Sequence, residues 1–288
     1  MINLFKLMFR SFRSRPLYVT ENLQKYFFWR KPIKPYAFIR VHNEIKTIDG
    51  CLHSILDCVK GGVIGYHSCT DGTKEYILDF CKKYPQFSAI EYPFNVIPAD
   101  DIRYKNDELD EKICLDAYYN FVWDKLPRNE WIVKIDADHI YVPEYLKMLC
   151  QLPLRKKEIV FLNRINLHYQ DNQIFINKER PFYEEGDHWI IFNNGNLYFK
   201  LDRGWNKDKF FAWESLVFRR KYIIFGILCN YHFPIIKNQR NKFNEDEWIL
   251  FDEFDFSQYM NDNKLIGRVP NKMLDKNFIL GNIKKFNL

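Results

Sequence analysis

Two carboxylates one residue apart close a short apolar run near the middle of the chain. Trp131-Ile132-Val133-Lys134-Ile135 leads straight into Asp136-Ala137-Asp138-His139. The run has the length and composition of a buried strand. Where such a strand bends at its end, both acids can turn toward one ligand. Hard oxygen donors of this kind suit Mg²⁺ or Mn²⁺, which then carries the charge of a diphosphate. An isolated Asp-x-Asp more often only solvates a strand end, so its meaning depends on what else the fold brings to the same edge.

Two other polar clusters follow apolar runs. Arg40 to Glu44 succeeds the strand-like Tyr36-Ala37-Phe38-Ile39, and Ser68-Cys69-Thr70-Asp71-Gly72-Thr73 succeeds Val63-Ile64-Gly65-Tyr66. Asp71 is placed to accept from a base N–H or a ribose hydroxyl, and Gly72 permits close backbone approach. Alone, Thr-Asp-Gly-Thr is a turn and helix cap.

The elements that must position these clusters alternate. A helix face (Ile48, Cys51, Leu52, Ile55, Leu56, Val59) lies between the first two strands and stops at Gly61-Gly62. A second amphipathic helix (Tyr76, Ile77, Phe80, Cys81) ends by Pro85, and Ser88 to Tyr92 reads as a third strand. Strand, helix, strand, helix, strand implies a parallel sheet with right-handed crossovers. Ligands bind outside the carboxyl ends of such strands, which would place all three clusters on one edge, as a site for a nucleotide whose phosphates are held by a metal. Residues 93–110 break the rhythm with Pro93, Pro98 and an acidic run, and read as a mobile loop. A helix from about Asp110 to Leu126 leads to the central strand, and Pro143 suits the first turn of a helix over Glu144 to Gln151.

The second half changes character. Strand-like runs (Ile159 to Leu167, Gln173 to Asn177, His188 to Phe192, Asn196 to Leu201) come without helices between them, and Asn194-Gly195 is a hairpin signal. Tyr222 to Cys229 reads as a buried strand, residues 244–261 as helical, and the tail from Lys264 is basic. The expected fold is α/β: a mostly parallel, Rossmann-like sheet flanked by helices, with a β-rich second half.

With 288 residues, 47 % of them apolar and 18 % aromatic, the chain can bury a large core and is not disordered. The seven cysteines are scattered and form no Cys-x-x-Cys pair, which argues against a zinc knuckle or a disulfide framework and for a reducing cytoplasm. The net charge of +6 is uneven. Residues 1–34 carry eight Lys or Arg against Glu21 alone, interleaved with Phe5, Phe9, Phe12, Phe27, Phe28 and Trp29. No run there approaches the roughly 20 apolar residues of a spanning helix. Basic and bulky apolar residues together suggest an arm lying on an anionic membrane surface rather than on nucleic acid.

Taken in order, Phe38 to Glu44, Gly65 to Thr73 and Lys134 to Ile140 resemble the successive motifs of a nucleotide-sugar-dependent glycosyltransferase of the GT-A fold. More narrowly, the chain is similar to the bacterial β-1,4-N-acetylgalactosaminyltransferase family of lipooligosaccharide synthesis, over roughly residues 36 to 240. The resemblance implies a metal-dependent, inverting transfer of a sugar, GalNAc or a related hexose, from a UDP-sugar to a glycolipid or oligosaccharide acceptor. The setting it implies is peripheral, at the cytoplasmic face of the inner membrane, with no nucleic acid involved. It further implies that Val41, Asn43, Glu44 and Asp71 contact the uridine, that Asp136 sits near ribose and metal, and that Asp138 binds Mn²⁺ or Mg²⁺ directly. His232 is the candidate for a further metal ligand, and Lys237 for the diphosphate.

An inverting transfer needs a general base. Asp187 in Gly186-Asp187-His188-Trp189 and Glu214 in Trp213-Glu214-Ser215 are the candidates, Asp187 marginally first, each beside a tryptophan able to face a sugar ring. His42, His168 and His188 receive no role. The implied division is an arm (1–34), a nucleotide-sugar half (35–152), an acceptor-side half (153–243) and a C-terminal tail (244–288). Two competing readings are a nucleotidyltransferase, for which the basic glycine-rich loop after the first strand is missing, and a catalytically silent sugar-nucleotide-binding protein at the membrane surface.

Overall fold

The computed structural model describes residues 16–22, 29–106, 108–152, 154–183, 186–206, 209–218, 222–236 and 245–285. In chain order the strands are β1 (Leu17–Tyr18), β2 (Tyr36–Val41), β3 (Gly61–Tyr66), β4 (Phe87–Glu91), β5 (Glu130–Asp136), β6 (His139–Tyr141) and β7 (Glu158–Gln170). Then come β8 (Gln173–Asn177), β9 (Phe182–Tyr183), β10 (Trp189–Asn193), β11 (Tyr198–Asn206), β12 (Lys209–Val217), β13 (Tyr222–His232) and β14 (Trp248–Leu250). The helices are α1 (Ile48–Ile55), α2 (Thr73–Lys83), α3 (Leu115–Trp123), α4 (Pro143–Cys150), α5 (Phe256–Asp262) and α6 (Lys276–Ile283).

The main sheet runs β1-β13-β7-β10-β5-β2-β3-β4. All neighbours on that path are parallel except β10, which is antiparallel to both β5 and β7. The expected α/β class and mostly parallel sheet are therefore observed. One sheet spans both halves of the sequence, since β10 is inserted between β5 and β7.

Alternation along the central strands sorts side chains into two layers. Ala37, Ile39, Val41, Val133 and Ile135 face α1, whose Ile48, Cys51, Leu52 and Ile55 are fully buried at the predicted helical spacing. On the opposite face Phe38, Val63 and Ile132 pack with Tyr118, Val122 and Trp123 of α3 and with Trp189 and Phe199. Phe38 stacks on Phe199 at 5.5 Å and meets Trp123 edge-on at 5.4 Å. This aromatic layer is the floor beneath the charged groups described below.

Four expectations change. The Asn194-Gly195 turn forms, with Gly195 at φ +83, but joins no hairpin. Both edges of β10 are already taken by β5 and β7, so the next strand, β11, has no edge to join and pairs with β12 in a separate ribbon. Residues 244–261 are not one helix: Trp248–Leu250 pairs with the free edge of β8, and only Phe256–Asp262 is helical. The helix expected from Asp110 begins at Leu115, after a 3-10 turn over Glu111–Ile113. The 93–110 loop is anchored by the fully buried Tyr104, whose hydroxyl donates to Ile97 O and accepts from Leu115 N. Ala212 N also donates to Ala99 O, tying that loop to β12.

Part of the basic arm belongs to the sheet. Leu17–Tyr18 pairs in parallel with β13, Val19 is fully buried, and Tyr18 stacks on Phe225 at 4.9 Å. Residues 1–15 and 23–28, with most of the arm's charge, lie outside the described residues. Among the described residues no helix is long and apolar enough to cross a membrane.

Gly65 lets α3 approach the sheet: a Cβ there would stand 2.2 Å from Val122 Cγ2. Gly65→Ala is expected to destabilise the fold by about 1–3 kcal/mol in urea unfolding, and Val122→Ala in the same chain should restore part of that loss. Equal stability of Gly65→Ala and the parent would show that the contact is not tight.

Candidate active site

Strand register brings the three polar clusters level. Arg40 is paired with Gly65 on one side and Asp136 on the other, and Val41 with Tyr66. The chain therefore leaves β2, β3 and β5 at one height on one edge, as predicted. Asn43 (φ +53) and Ser68 (φ +44) adopt left-handed backbone there and turn the chain sharply off the sheet.

The first two loops are clasped together. Asn43 Oδ1 accepts from Thr70 N at 2.8 Å, and Thr73 Oγ1 accepts from Glu44 N at 2.8 Å. Asp71 Oδ2 accepts from Ile45 N at 3.2 Å, and Oδ1 from Thr73 N and Oγ1. Burial opposes ionisation of Asp71, but these donors outweigh it and hold its carboxyl below the usual range. Asp71 is thus the clasp itself, and the turn-and-cap geometry of Thr-Asp-Gly-Thr is realised. Glu44 is buried with Thr47, and Val41 N is 3.2 Å from Tyr118 Oη.

Beside this clasp stands a network of opposed charges. Asp136 Oδ1 accepts from Arg40 Nη2, and its Oδ2 lies 3.4 Å from Lys134 Nζ and 2.9 Å from His188 Nε2. Asp187 Oδ1 accepts from Lys134 Nζ, and Oδ2 from Arg164 Nη1 at 2.8 Å. Lys134 and Arg40 are almost fully buried, whereas Asp136 and Asp187 keep 22 % and 35 % of their side chains exposed. The acids therefore face the opening and the bases lie beneath them. Burial works against ionisation of both aspartates. Lys134 and His188, with Arg40 at Asp136 and Arg164 at Asp187, override it and hold both carboxyls well below the usual range.

Three imidazoles complete the edge. β6 is antiparallel to β13, so His139 stands directly opposite His232, their rings stacked at 4.4 Å, and His188 lies 4.4 Å from His139. Arg164 Nη1 donates to His188 Nδ1 at 2.9 Å, so the proton of that neutral ring is on Nε2, facing Asp136. Burial is the chief reason that all three histidines are pushed below their usual range, His188 to about 4.

The tautomer of His232 is fixed as well. Asn166 Nδ2 donates to Arg180 O at 2.6 Å, which turns Asn166 Oδ1 toward His232 Nδ1 at 2.7 Å. His232 must donate there, leaving the lone pair of Nε2 directed at Asp138 Oδ2, 3.3 Å away. Two acceptors face each other across that gap. His139 Nδ1 lies 3.0 Å from Asp138 Oδ1, and its Nε2 is buried with no hydrogen-bond partner. Asp138, His139 and His232 offer ligand atoms within 4.8 Å of one another, as do Asp136, Asp187 and His188. The two sets differ, because the oxygens of Asp136 and Asp187 are engaged by Arg40, Lys134 and Arg164.

The two base candidates sit in unlike surroundings. Asp187 is clamped by two cations. Glu214, in β12, is hydrogen-bonded to Tyr119 of α3, and burial pushes its carboxyl above the usual glutamate range against the pull of Lys134 and Arg40. Tyr119 lies under the Arg40 guanidinium, 3.8 Å from the ring centroid, so Glu214 joins the same network. Trp189 is buried in the aromatic floor and offers no face to a ligand, while Trp213 is 46 % exposed. Lys237 lies outside the described residues.

A family model described as β-1,4-N-acetylgalactosaminyltransferase (CgtA) matches residues 21–286. The chain belongs to that family. It is accordingly a glycosyltransferase, with the α/β sheet and strand-end acids described above. No curated protein matches it in sequence. Among solved structures, the mannosyltransferase PcManGT from Pyrobaculum calidifontis, in complex with GDP-Man and Mn²⁺, matches with a TM-score of 0.32 and 14 % identity. That likeness covers 48 % of this chain and 40 % of the other, less than half of each.

Of the charged groups in this CgtA-family site, Arg164 has no motif in the sequence to mark it, and Lys134 and Arg40 stand out only as parts of motifs. Their signal is periodicity: Lys134 and Asp136, or Phe38 and Arg40, share one strand face, so a base inside an apolar strand has only a neighbouring acid to meet. His188 has no comparable signal, since its partners come from β5 and β7.

Lys134 touches both Asp136 and Asp187 and is the strongest influence holding their carboxyls ionised. Their folded-state pKa values are depressed, so the stability they contribute is complete above the ordinary aspartate value and is lost on acidification through the depressed ones. Lys134→Met removes the one cation that touches both acids and leaves Asp136 to Arg40 and Asp187 to Arg164. The expected loss is at the low end of about 3–5 kcal/mol, because Asp187 is partly screened by water. The deficit should shrink on acidification toward and below the ordinary aspartate range, because carboxyls released from Lys134 take up protons at higher pH than those of the parent. A urea-unfolding deficit independent of pH would contradict this account.

Proposed function

We propose that this protein transfers GalNAc or a related hexose from a UDP-sugar to the saccharide of a lipooligosaccharide or similar glycolipid, with inversion and with Mn²⁺ or Mg²⁺ as cofactor. One observation carries the metal assignment: the lone pair of His232 Nε2, fixed by Asn166, is aimed at a carboxylate oxygen of Asp138. Two acceptors held 3.3 Å apart repel unless a cation lies between or beside them. The orphaned Nε2 of His139 adds a further donor nearby. Asp138 and His232 are thus the residues that would hold the ion, with Asp136 kept by Arg40 and Lys134 for a ribose or a second-sphere contact. Fixed charge supports the same reading. Arg40, Lys134 and Arg164 are matched by Asp136, Asp138 and Asp187, so without an added cation the site has no surplus of positive charge for a diphosphate. A divalent ion bound there supplies electrostatic stabilisation of the departing UDP.

The remaining chemistry falls to the protein's own groups. The clasped loops at Val41 to Glu44 and Asp71 form a rigid rim for the uridine. Glu214 is the better general base: burial raises its proton affinity, and Tyr119, hydrogen-bonded to it, orients the carboxyl. It accepts the acceptor hydroxyl proton as that oxygen attacks the anomeric carbon. Asp187, weakened as a base by Lys134 and Arg164, holds those cations in place. The basic residues of the 1–15 segment would keep the enzyme at an anionic membrane surface where a glycolipid is met.

Incubation with Mn²⁺ and a panel of UDP-sugars should give donor-specific UDP release that rises on adding lipooligosaccharide, and Asp138→Ala should abolish it. Glu214→Gln should lower kcat by about 10²–10⁴-fold and remove an acid limb lying above the ordinary glutamate range, while Asp187→Asn retains that limb. Pyrophosphate formation from UTP and a sugar phosphate, or full turnover by Asp138→Ala, would refute the proposal.

Deleting residues 1–15, which spares β1, should weaken binding to anionic liposomes, and more so at low salt than at high salt. Unchanged partitioning would retire the membrane role.

A further inference from the structure

The β11–β12 ribbon stands apart from the main sheet, and its two faces differ. The inner face carries Phe199, Leu201, Ala212, Glu214 and Leu216 toward α3 and the reactive cluster. By alternation the outer face carries Tyr198, Lys200, Asp202 and Gly204 opposite Val217, Ser215, Trp213 and Phe211. Tyr198 and Trp213 are 53 % and 46 % exposed there.

Trp213 packs against the ribbon at Gly204. Its six-membered ring covers Gly204, 3.1 Å from where a Cβ would stand, so any larger residue at 204 would lift the indole. The benzene end of the indole is therefore set against the ribbon, while 46 % of the residue stays exposed. Between the two aromatics lies a hydrogen-bonded set: Lys200 Nζ is 2.8 Å from Asp202 Oδ1, and Ser215 also donates to Asp202. Tyr198 is four residues from Asp202, the register partner of Trp213, which separates the aromatics by about 13 Å. The other exposed indole of the ribbon, Trp205, differs: Lys105 lies over its ring at 4.4 Å.

We infer that this outer face is an acceptor subsite that binds pyranose units of the oligosaccharide beyond the one that reacts, Trp213 stacking on the apolar face of one ring and Tyr198 on another. The inference rests on the transferase reading above and extends it. An extended saccharide presents C–H faces with hydroxyls between them, which matches two aromatic plates with a charge-balanced donor and acceptor set between. An anionic bilayer does not match, because Asp202 lies in the middle of the face. Trp213 adjoins Glu214 in the chain, so a saccharide whose reacting hydroxyl is at Glu214 reaches the indole by rounding the ribbon.

The test uses the full chain and, as probe, core oligosaccharide freed of lipid by mild acid hydrolysis of lipooligosaccharide. Trp213→Ala should raise the oligosaccharide KM about tenfold, with the loss in KM rather than kcat, and Trp213→Phe should recover most of it. Tyr198→Ala should give a smaller rise. Calorimetric titration of the same oligosaccharide, without donor, should show the same order of affinities. An unchanged KM and unchanged affinity in both alanine variants would overturn the subsite, as would a loss confined to liposome binding. Failure of the wild type to release UDP from any donor would instead count against the transferase reading, and the titration then decides the subsite by itself.

Discussion

Burying fixed charge at the edge of a sheet is the constraint on which this structure turns. Arg40, Lys134 and Arg164 are taken almost wholly out of water, and each is tolerable only while a carboxylate stays within reach. The arrangement depends on strand register. Because Arg40 is paired with Asp136 across β2 and β5, and Lys134 lies two residues before Asp136 on the same face, a slip of one residue would bury bases without acids. The aromatic floor of Phe38, Trp123, Trp189 and Phe199 fixes that register by filling the same face below the charges.

The order of basicity within the cluster follows from this layering. Carboxylates in contact with the buried bases are poor proton acceptors, whereas Glu214, one hydrogen bond away through Tyr119, is a better one. The imidazoles occupy a second zone in which burial holds them neutral, so they offer lone pairs rather than charge. Charged carboxylates and neutral imidazoles are thereby kept apart within a small volume, and Arg164 and Asn166 fix the ring protons of His188 and His232.

Much of this was legible in the chain. Apolar runs ending in polar clusters placed three loops on one edge, and helical spacing at Ile48, Cys51, Leu52 and Ile55 identified the helix that covers one face. His232 was legible only through resemblance, and its pairing with His139 depends on the antiparallel register of β6 on β13. Arg164 was missed because its partner Asp187 is 23 residues away across β7 and β10. The Asn194-Gly195 hairpin failed for a related reason: turn chemistry specifies a reversal, but edge availability decides what pairs. Likewise Trp248–Leu250 joins β8 because an edge was open there, where local periodicity suggested helix.

The ribbon of β11 and β12 shares no backbone hydrogen-bond ladder with the main sheet among the described residues, and is held through α3 and the Ala99 contact. Glu214 and the charged edge of the sheet are therefore mounted on separate frames, linked through α3, whose Tyr119 lies under Arg40. On the reading proposed above, substitutions on the outer strand face would alter how a saccharide is received without disturbing the strand register that sets the charged edge.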